Sequence, residues 1–147
     1  MARKKATTAI TDNLQLQAIE LLSITLNPPA ETKGGDVDYL FDIGIEHRVS
    51  EVEKLVFVMV SVTVRVDEFP ESLGSIVSSC IFQVGNFEEV ILPGADGDFH
   101  LSKKLVGMIN ELSISTTRGL MFATFKGTFL HNAILPILNY NYEKSIK

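Results

Sequence analysis

Apolar and polar side chains alternate from Leu14 onward, with Leu14, Leu16 and Ala18 on one face and Gln15 and Gln17 on the other. A period of two is that of a half-buried strand. The phase slips at Glu20-Leu21-Leu22 before Leu22, Ile24 and Leu26 resume it, which predicts a bulge or a strand apolar on both faces. Asn27-Pro28-Pro29 ends this strand, and Lys33-Gly34-Gly35-Asp36 makes a flexible connection. A second strand is predicted where Val37, Tyr39, Phe41, Ile43 and Ile45 alternate with Asp38, Leu40, Asp42, Gly44 and Glu46. The polar turn Ser50-Glu51-Val52-Glu53 returns the next strand antiparallel.

That third strand sets Val56, Val58, Val60, Val62, Val64 and Val66 on one face. Its other face carries Leu55, Phe57 and Met59 before changing to Ser61, Thr63 and Arg65. A strand apolar on both faces needs cover on both sides. One helical layer from a short chain covers a single face, so a second subunit is expected over the other.

A fourth strand is predicted over residues 75–90, with Ile76, Cys80, Phe82 and Val84 in one register and a kink at Gly85-Asn86. The turn Leu92-Pro93-Gly94-Ala95-Asp96-Gly97-Asp98 offers Asp98 as a helix N-cap. Leu101, Leu105, Met108, Ile109 and Leu112 then follow at helical spacing. The helix is expected to reach about Phe125, with a break near residues 113–117 where Ser and Thr are poor helix formers, and Gly127 suits its C-terminal cap. Phe129-Leu130 and Ile134-Leu135-Pro136-Ile137-Leu138 form an apolar connection, and a short terminal helix is predicted from Asn139 with Tyr140, Tyr142 and Ile146. The fold class is α+β: a four-stranded antiparallel sheet followed by a long helix and a short C-terminal helix. Residues 1–11 read as a flexible basic tail and 12–147 as a single domain.

The chain has 147 residues, enough for one core without disulfides or metal. Its lone Cys80 has no partner, and its middle-of-strand position predicts a buried structural thiol. Net charge is −5, and without Arg3, Lys4 and Lys5 the body carries −8, which repels phosphate and excludes nucleic acid as a partner. No apolar run follows the basic N-terminus as a signal peptide requires, and none reaches the roughly 18 residues of a membrane span. The expected compartment is the cytoplasm, with no membrane insertion.

His47, His100 and His131 sit in unrelated segments and form no metal motif. Gly94-Ala95-Asp96-Gly97-Asp98 lacks the length and terminal Glu of a calcium loop and the Gly-Lys-Ser/Thr of a phosphate loop. Glu88 and Glu89 are adjacent, so on a strand they point to opposite faces. No catalytic constellation can be assembled, and the expectation is a non-enzyme with no metal and no cofactor. What remains is apolar excess: Leu120, Met121, Phe122 and Phe125 occupy more than one helix face, and Phe129, Leu130, Ile134, Leu135, Ile137 and Leu138 follow. Flexible Met and Phe surfaces suit varied apolar partners.

Gly127-Thr128-Phe129, then Leu135-Pro136, then Asn139-Tyr140 resemble the segment joining the two C-terminal helices of the SecB family of protein-export chaperones. Ser115-Thr116-Thr117-Arg118-Gly119 is similar to what many SecB-like chains carry, and the resemblance spans residues 14–140. It implies an ATP-independent holdase for unfolded polypeptides and preproteins, built as a homotetramer that is a dimer of dimers. It also implies a client-binding groove lined by residues 28–35 and by Leu120, Met121, Phe122, Phe125, Phe129, Leu130, Ile134 and Leu135.

In export members of the family, acidic residues on the outer sheet face engage the ATPase SecA. The positions that look equivalent here lie near Leu22, Leu26 and Ile81, none acidic, and the C-terminal residues 141–147 are short and basic. Both count against SecA docking. Alternatives are a SecB-like chaperone dedicated to one partner, such as an antitoxin, and a non-enzymatic scaffold. A hot-dog enzyme fits less well, because its main helix precedes most of its strands.

Overall fold

A computed structural model describes residues 13–30 and 37–138. The basic tail, the Gly34-Gly35 connection and the helix expected from Asn139 lie outside them. Strands β1 (Leu14–Leu26), β2 (Leu40–Ser50), β3 (Leu55–Arg65) and β4 (Gly74–Val84) form one antiparallel sheet in the order β1-β4-β3-β2. A single helical turn α1 (Phe87–Val90) and the hairpin β5 (Ile91–Pro93) with β6 (Phe99–Leu101) lead to the long helix α2 (Lys103–Phe125). The sheet-then-helix α+β architecture predicted from the pattern is the one observed.

Register decides which side chains share a face, since directly opposed residues project to the same side. Val56, Val58, Val60, Val62 and Val64 stand opposite Phe82, Cys80, Ser78, Ile76 and Gly74 on β4, and opposite Val49, His47, Ile45, Ile43 and Phe41 on β2. Helix α2 lies over β3 and β4, and all five valines are wholly buried. Burying a Val side chain stabilises by roughly 1.5–3 kcal/mol, so this ladder is the main fastening of the helical layer. The opposite face of β3, with Phe57 and Met59, is only half-buried within one chain.

The phase slip in β1 is a bulge at Leu22, and a second bulge lies at Gln17. Each inserts one unpaired residue. The pair of them overturns the expected faces: Ala18 pairs with Ile81 on the far side, while Leu14, Leu16, Ile19, Leu21, Ile24 and Leu26 all join the helix-bearing face.

Several expected boundaries move, each for a local reason. Strand β2 starts at Leu40 rather than Val37 and extends to Ser50. Strand β4 stops at Val84, and residues 87–90 turn helical instead of extending it. Leu101 belongs to β6, and the helix cap is Ser102, not Asp98: Ser102 Oγ accepts from the Leu105 N–H at 3.2 Å, while Asp98 sits in the hairpin turn. Helix α2 does not break at residues 113–117: Thr116 and Thr117 donate their hydroxyls to the Leu112 and Ser113 carbonyls at 2.8 and 2.7 Å. Packing of α2 on β3 and β4 outweighs the weak helix propensity of Ser and Thr.

Gly127, at φ +80°, ends the helix as expected in the left-handed conformation that favours glycine. Thr128 then fixes the reversal, its hydroxyl donating to Phe125 O at 2.7 Å and accepting from Leu130 N–H at 3.1 Å. The chain returns over the sheet so closely that a Cβ on Gly74 would lie 2.6 Å from Leu130 Cδ1 and 2.8 Å from Thr25 O.

Candidate functional site

The eight candidate residues at the end of α2 and beyond divide into three sets: buried, half-buried and exposed. Met121 and Phe125 point down from the helix into the core, and Leu130 and Leu135 enter it from the returning segment. These four are buried in the single chain, away from solvent. Leu120 and Phe129 are half-buried at its margin. Phe122 at 56% exposure and Ile134 at 55% are turned outward. Ile137, named in the apolar connection but not among those eight, is more open still at 93%.

The division follows from local geometry. On a helix, residues three and four apart share a face, so Ile114, Thr117, Met121 and Phe125 form the buried side of α2. Phe122 lies a full 100° round from Met121 and cannot join them. In the returning segment Leu130, Ala133 and Leu135 face the core, which leaves Ile134 and Ile137 outside.

Two further apolar surfaces lie beyond the expected site. Met108 and Leu112 are exposed one turn apart, and with Phe122 they continue a stripe along α2 through the small residues Ser115 and Gly119. The larger surface is β1, where Leu16, Ile19, Leu21, Leu22, Ile24 and Leu26 are all exposed, between 38% and 48%. The signal in the sequence is a spacing of two, three, two, three, two from Leu14 to Leu26. A strict two-residue template misreads it. Among the described residues β1 is also an edge of the sheet, with no strand beside its outer backbone groups.

The opposite sheet face is polar at its rim. Asp42 accepts from Arg65 Nε at 2.7 Å, and Glu46 faces Arg48 at 3.6 Å. The Asp42 hydrogen bond and charge raise the Arg65 guanidinium above its usual value. Of the positions compared with SecA-contacting ones, Ile81 belongs to this face whereas Leu26 is on the helix-bearing side, so they do not form one patch.

Cys80 is buried beneath α2. Burial pushes its thiol up from the ordinary value, and the Ser113 and Thr116 hydroxyls beside it offset part of that rise. Such a thiol is a poor nucleophile. Among the described residues no group of three or more His, Cys, Asp or Glu side chains is placed to hold a metal, and no helix is long and apolar enough to cross a membrane.

The chain is similar in fold to a solved structure of the Mycobacterium tuberculosis SecB-like chaperone Rv1957 in complex with a ChAD peptide from the Rv1956 HigA1 antitoxin. The two align with a TM-score of 0.64 over 86% of this chain and 91% of that one, at 15% sequence identity. The fold is SecB-like. No family model and no curated protein sequence matches the chain. The SecB-like assignment made from Gly127-Thr128-Phe129 and Leu135-Pro136 therefore agrees with the three-dimensional comparison, at an identity where fold, not sequence, carries the likeness.

Proposed function

We propose that the protein is an ATP-independent holdase that binds unfolded polypeptides through exposed apolar side chains on a SecB-like scaffold. The observation that carries this reading is Phe122, Ile134 and Ile137 standing in solvent beside a well-packed core. An unfolded chain exposes apolar side chains of every kind, and a broad apolar surface binds them without reading sequence. Each contact is weak, but several along one client add through effective concentration. Nothing in such binding calls for a reaction or a cofactor, and the protein is read as a non-enzyme of the cytoplasm.

The working unit is a homotetramer, a dimer of dimers. Supporting this, an exposed apolar β1 on the helix-bearing face and the Met108–Leu112 end of the α2 stripe need cover that the described residues of one chain do not supply. A second subunit supplies it.

A dedicated role is the second reading. The solved SecB-like chaperone binds a peptide from an antitoxin. SecA docking and export receive less support, because Asp42 and Glu46 on the open sheet face are each paired with arginine. The test is suppression of light scattering when a chemically unfolded, aggregation-prone protein is diluted into an equimolar amount of this one without ATP. Suppression is expected. A folded, oligomeric preparation that fails to suppress would leave the dedicated partner as the better reading.

A further inference from the structure

We propose that Arg118 is a positioning residue that sets how Ile134 and Ile137 are presented to a client, an inference that rests on the holdase reading. Core burial of Ala133 and Leu135 anchors the segment after Leu130, but few backbone hydrogen bonds do. Ala133 N–H donates to Leu130 O at 2.9 Å and Ile134 N–H to Asn132 O at 3.1 Å. Residues 135–138 then run without regular structure, and among the described residues none of them shares a backbone–backbone hydrogen bond. Pro136 has no N–H to give.

Arg118, half-buried on α2, fills that gap. Its Nε donates to Leu135 O at 2.6 Å and its Nη2 to Pro136 O at 2.8 Å, while Nη1 reaches Ser115 Oγ at 3.5 Å. Two charge-assisted bonds from one planar group fix direction as well as distance. Neither carbonyl belongs to a helix or a strand, so the guanidinium meets acceptors that the backbone has left over.

The consequence is geometric. With carbonyls 135 and 136 pinned, Leu135 is held in the core at 1% exposure while its neighbours Ile134 and Ile137 stay outside. Phe122 lies four residues on from Arg118, on the same helix face. Ile134 and Ile137 thus flank the two pinned residues in sequence, and Phe122 shares the helix face of the arginine that pins them. Released from it, Ile134 and Ile137 would remain tethered but unplaced, and each client would have to order them, a conformational cost that a held segment avoids.

The test uses the full chain with Arg118→Ala, Arg118→Lys, Ile137→Ser and the double variant Arg118→Ala/Ile137→Ser. Amide hydrogen exchange is read at Leu130, Ala133 and Ile134, and affinity is read with a reduced, carboxymethylated protein carrying a fluorophore. Arg118→Ala should keep its circular dichroism spectrum, exchange those amides about tenfold faster and bind about tenfold more weakly. Arg118→Lys, which keeps the charge but not the planar fork of donors, should recover part of both. Because Arg118 acts through Ile137, the double variant should bind little more weakly than Arg118→Ala alone. Unchanged exchange, unchanged affinity despite faster exchange, or losses that multiply in the double variant would each overturn the assignment. An unaltered protein that leaves the probe unbound would sink the holdase reading itself, a result separate from any comparison among the variants.

Discussion

Ser78 on β4 and Thr117 on α2 share a buried hydrogen bond of 2.8 Å between their hydroxyls, at the centre of the sheet–helix seam. Thr117 gives its single proton to the Ser113 carbonyl at 2.7 Å, so Ser78 must be the donor between the two. That direction makes the pair asymmetric. Thr117→Val leaves a buried Ser78 hydroxyl proton with no acceptor, at a cost of about 1–3 kcal/mol. Ser78→Ala removes the donor and leaves only a spare lone pair, so it should cost less, about 1 kcal/mol. Urea midpoints of the two variants check this, and a larger loss for Ser78→Ala than for Thr117→Val would mean the proton runs the other way.

The division of the candidate site into buried and exposed sets makes a second prediction. Leu130→Ala and Phe125→Ala should each destabilise by roughly 2–5 kcal/mol, because both side chains are wholly or almost wholly buried. Phe122→Ser and Ile134→Ser should change stability by no more than about 0.5 kcal/mol, since both side chains already face water. They should instead weaken the suppression of client aggregation. Aggregation assays and urea titrations on the same four proteins separate the two roles.

This division also marks where the sequence stops being legible. The valine ladder of β3 is plain from its alternation, because a face with one residue type every second position has a single reading. The α2 stripe is equally plain. Residues 120–125 are not, since Leu120, Met121, Phe122 and Phe125 are all apolar and only packing decides which of them turns inward. Hydrophobicity reports that a surface is apolar; it does not report whether the chain's own return at Gly127 and Thr128 covers it. Arg118 is illegible for a related reason: its acceptors are backbone carbonyls seventeen and eighteen residues away, which no side-chain pattern encodes. The Asp98 cap failed against Ser102 because hairpin β5–β6 takes up the residues between them.

The two bulges in β1 carry a third prediction. They keep Leu16, Ile19, Leu21, Ile24 and Leu26 on one face, exposed in the single chain. Leu21→Lys places a charge in the middle of that row, at a position that pairs with Ser78 of β4 and is 44% exposed. It should leave the fold intact and shift the protein from an assembly to a 16.2 kDa monomer in sedimentation. An assembly unaffected by Leu21→Lys would place the subunit contact elsewhere, with the α2 stripe at Met108 and Leu112 the next surface to alter.

Cys80 gives a pH dependence whose direction follows from its surroundings. Burial favours the neutral thiol, so its pKa in the folded protein stands above the ordinary 9.0. As pH rises through 9.0, the unfolded chain loses this proton while the folded chain keeps it. The unfolded state then binds fewer protons, and stability falls with rising pH. The contribution is fully present below pH 9.0 and is lost as pH climbs toward the raised value, at no more than about 1.4 kcal/mol per pH unit for a single group. Other groups titrate in the same range, so the informative quantity is a difference. Urea midpoints of the unaltered protein and of Cys80→Val, followed from pH 7 to pH 10.5, should run parallel at first and converge or cross above pH 9.0 as the thiol's contribution drains away. Curves that stay parallel throughout would show that the folded thiol titrates as it does in water, and that the seam between β4 and α2 admits solvent at Cys80.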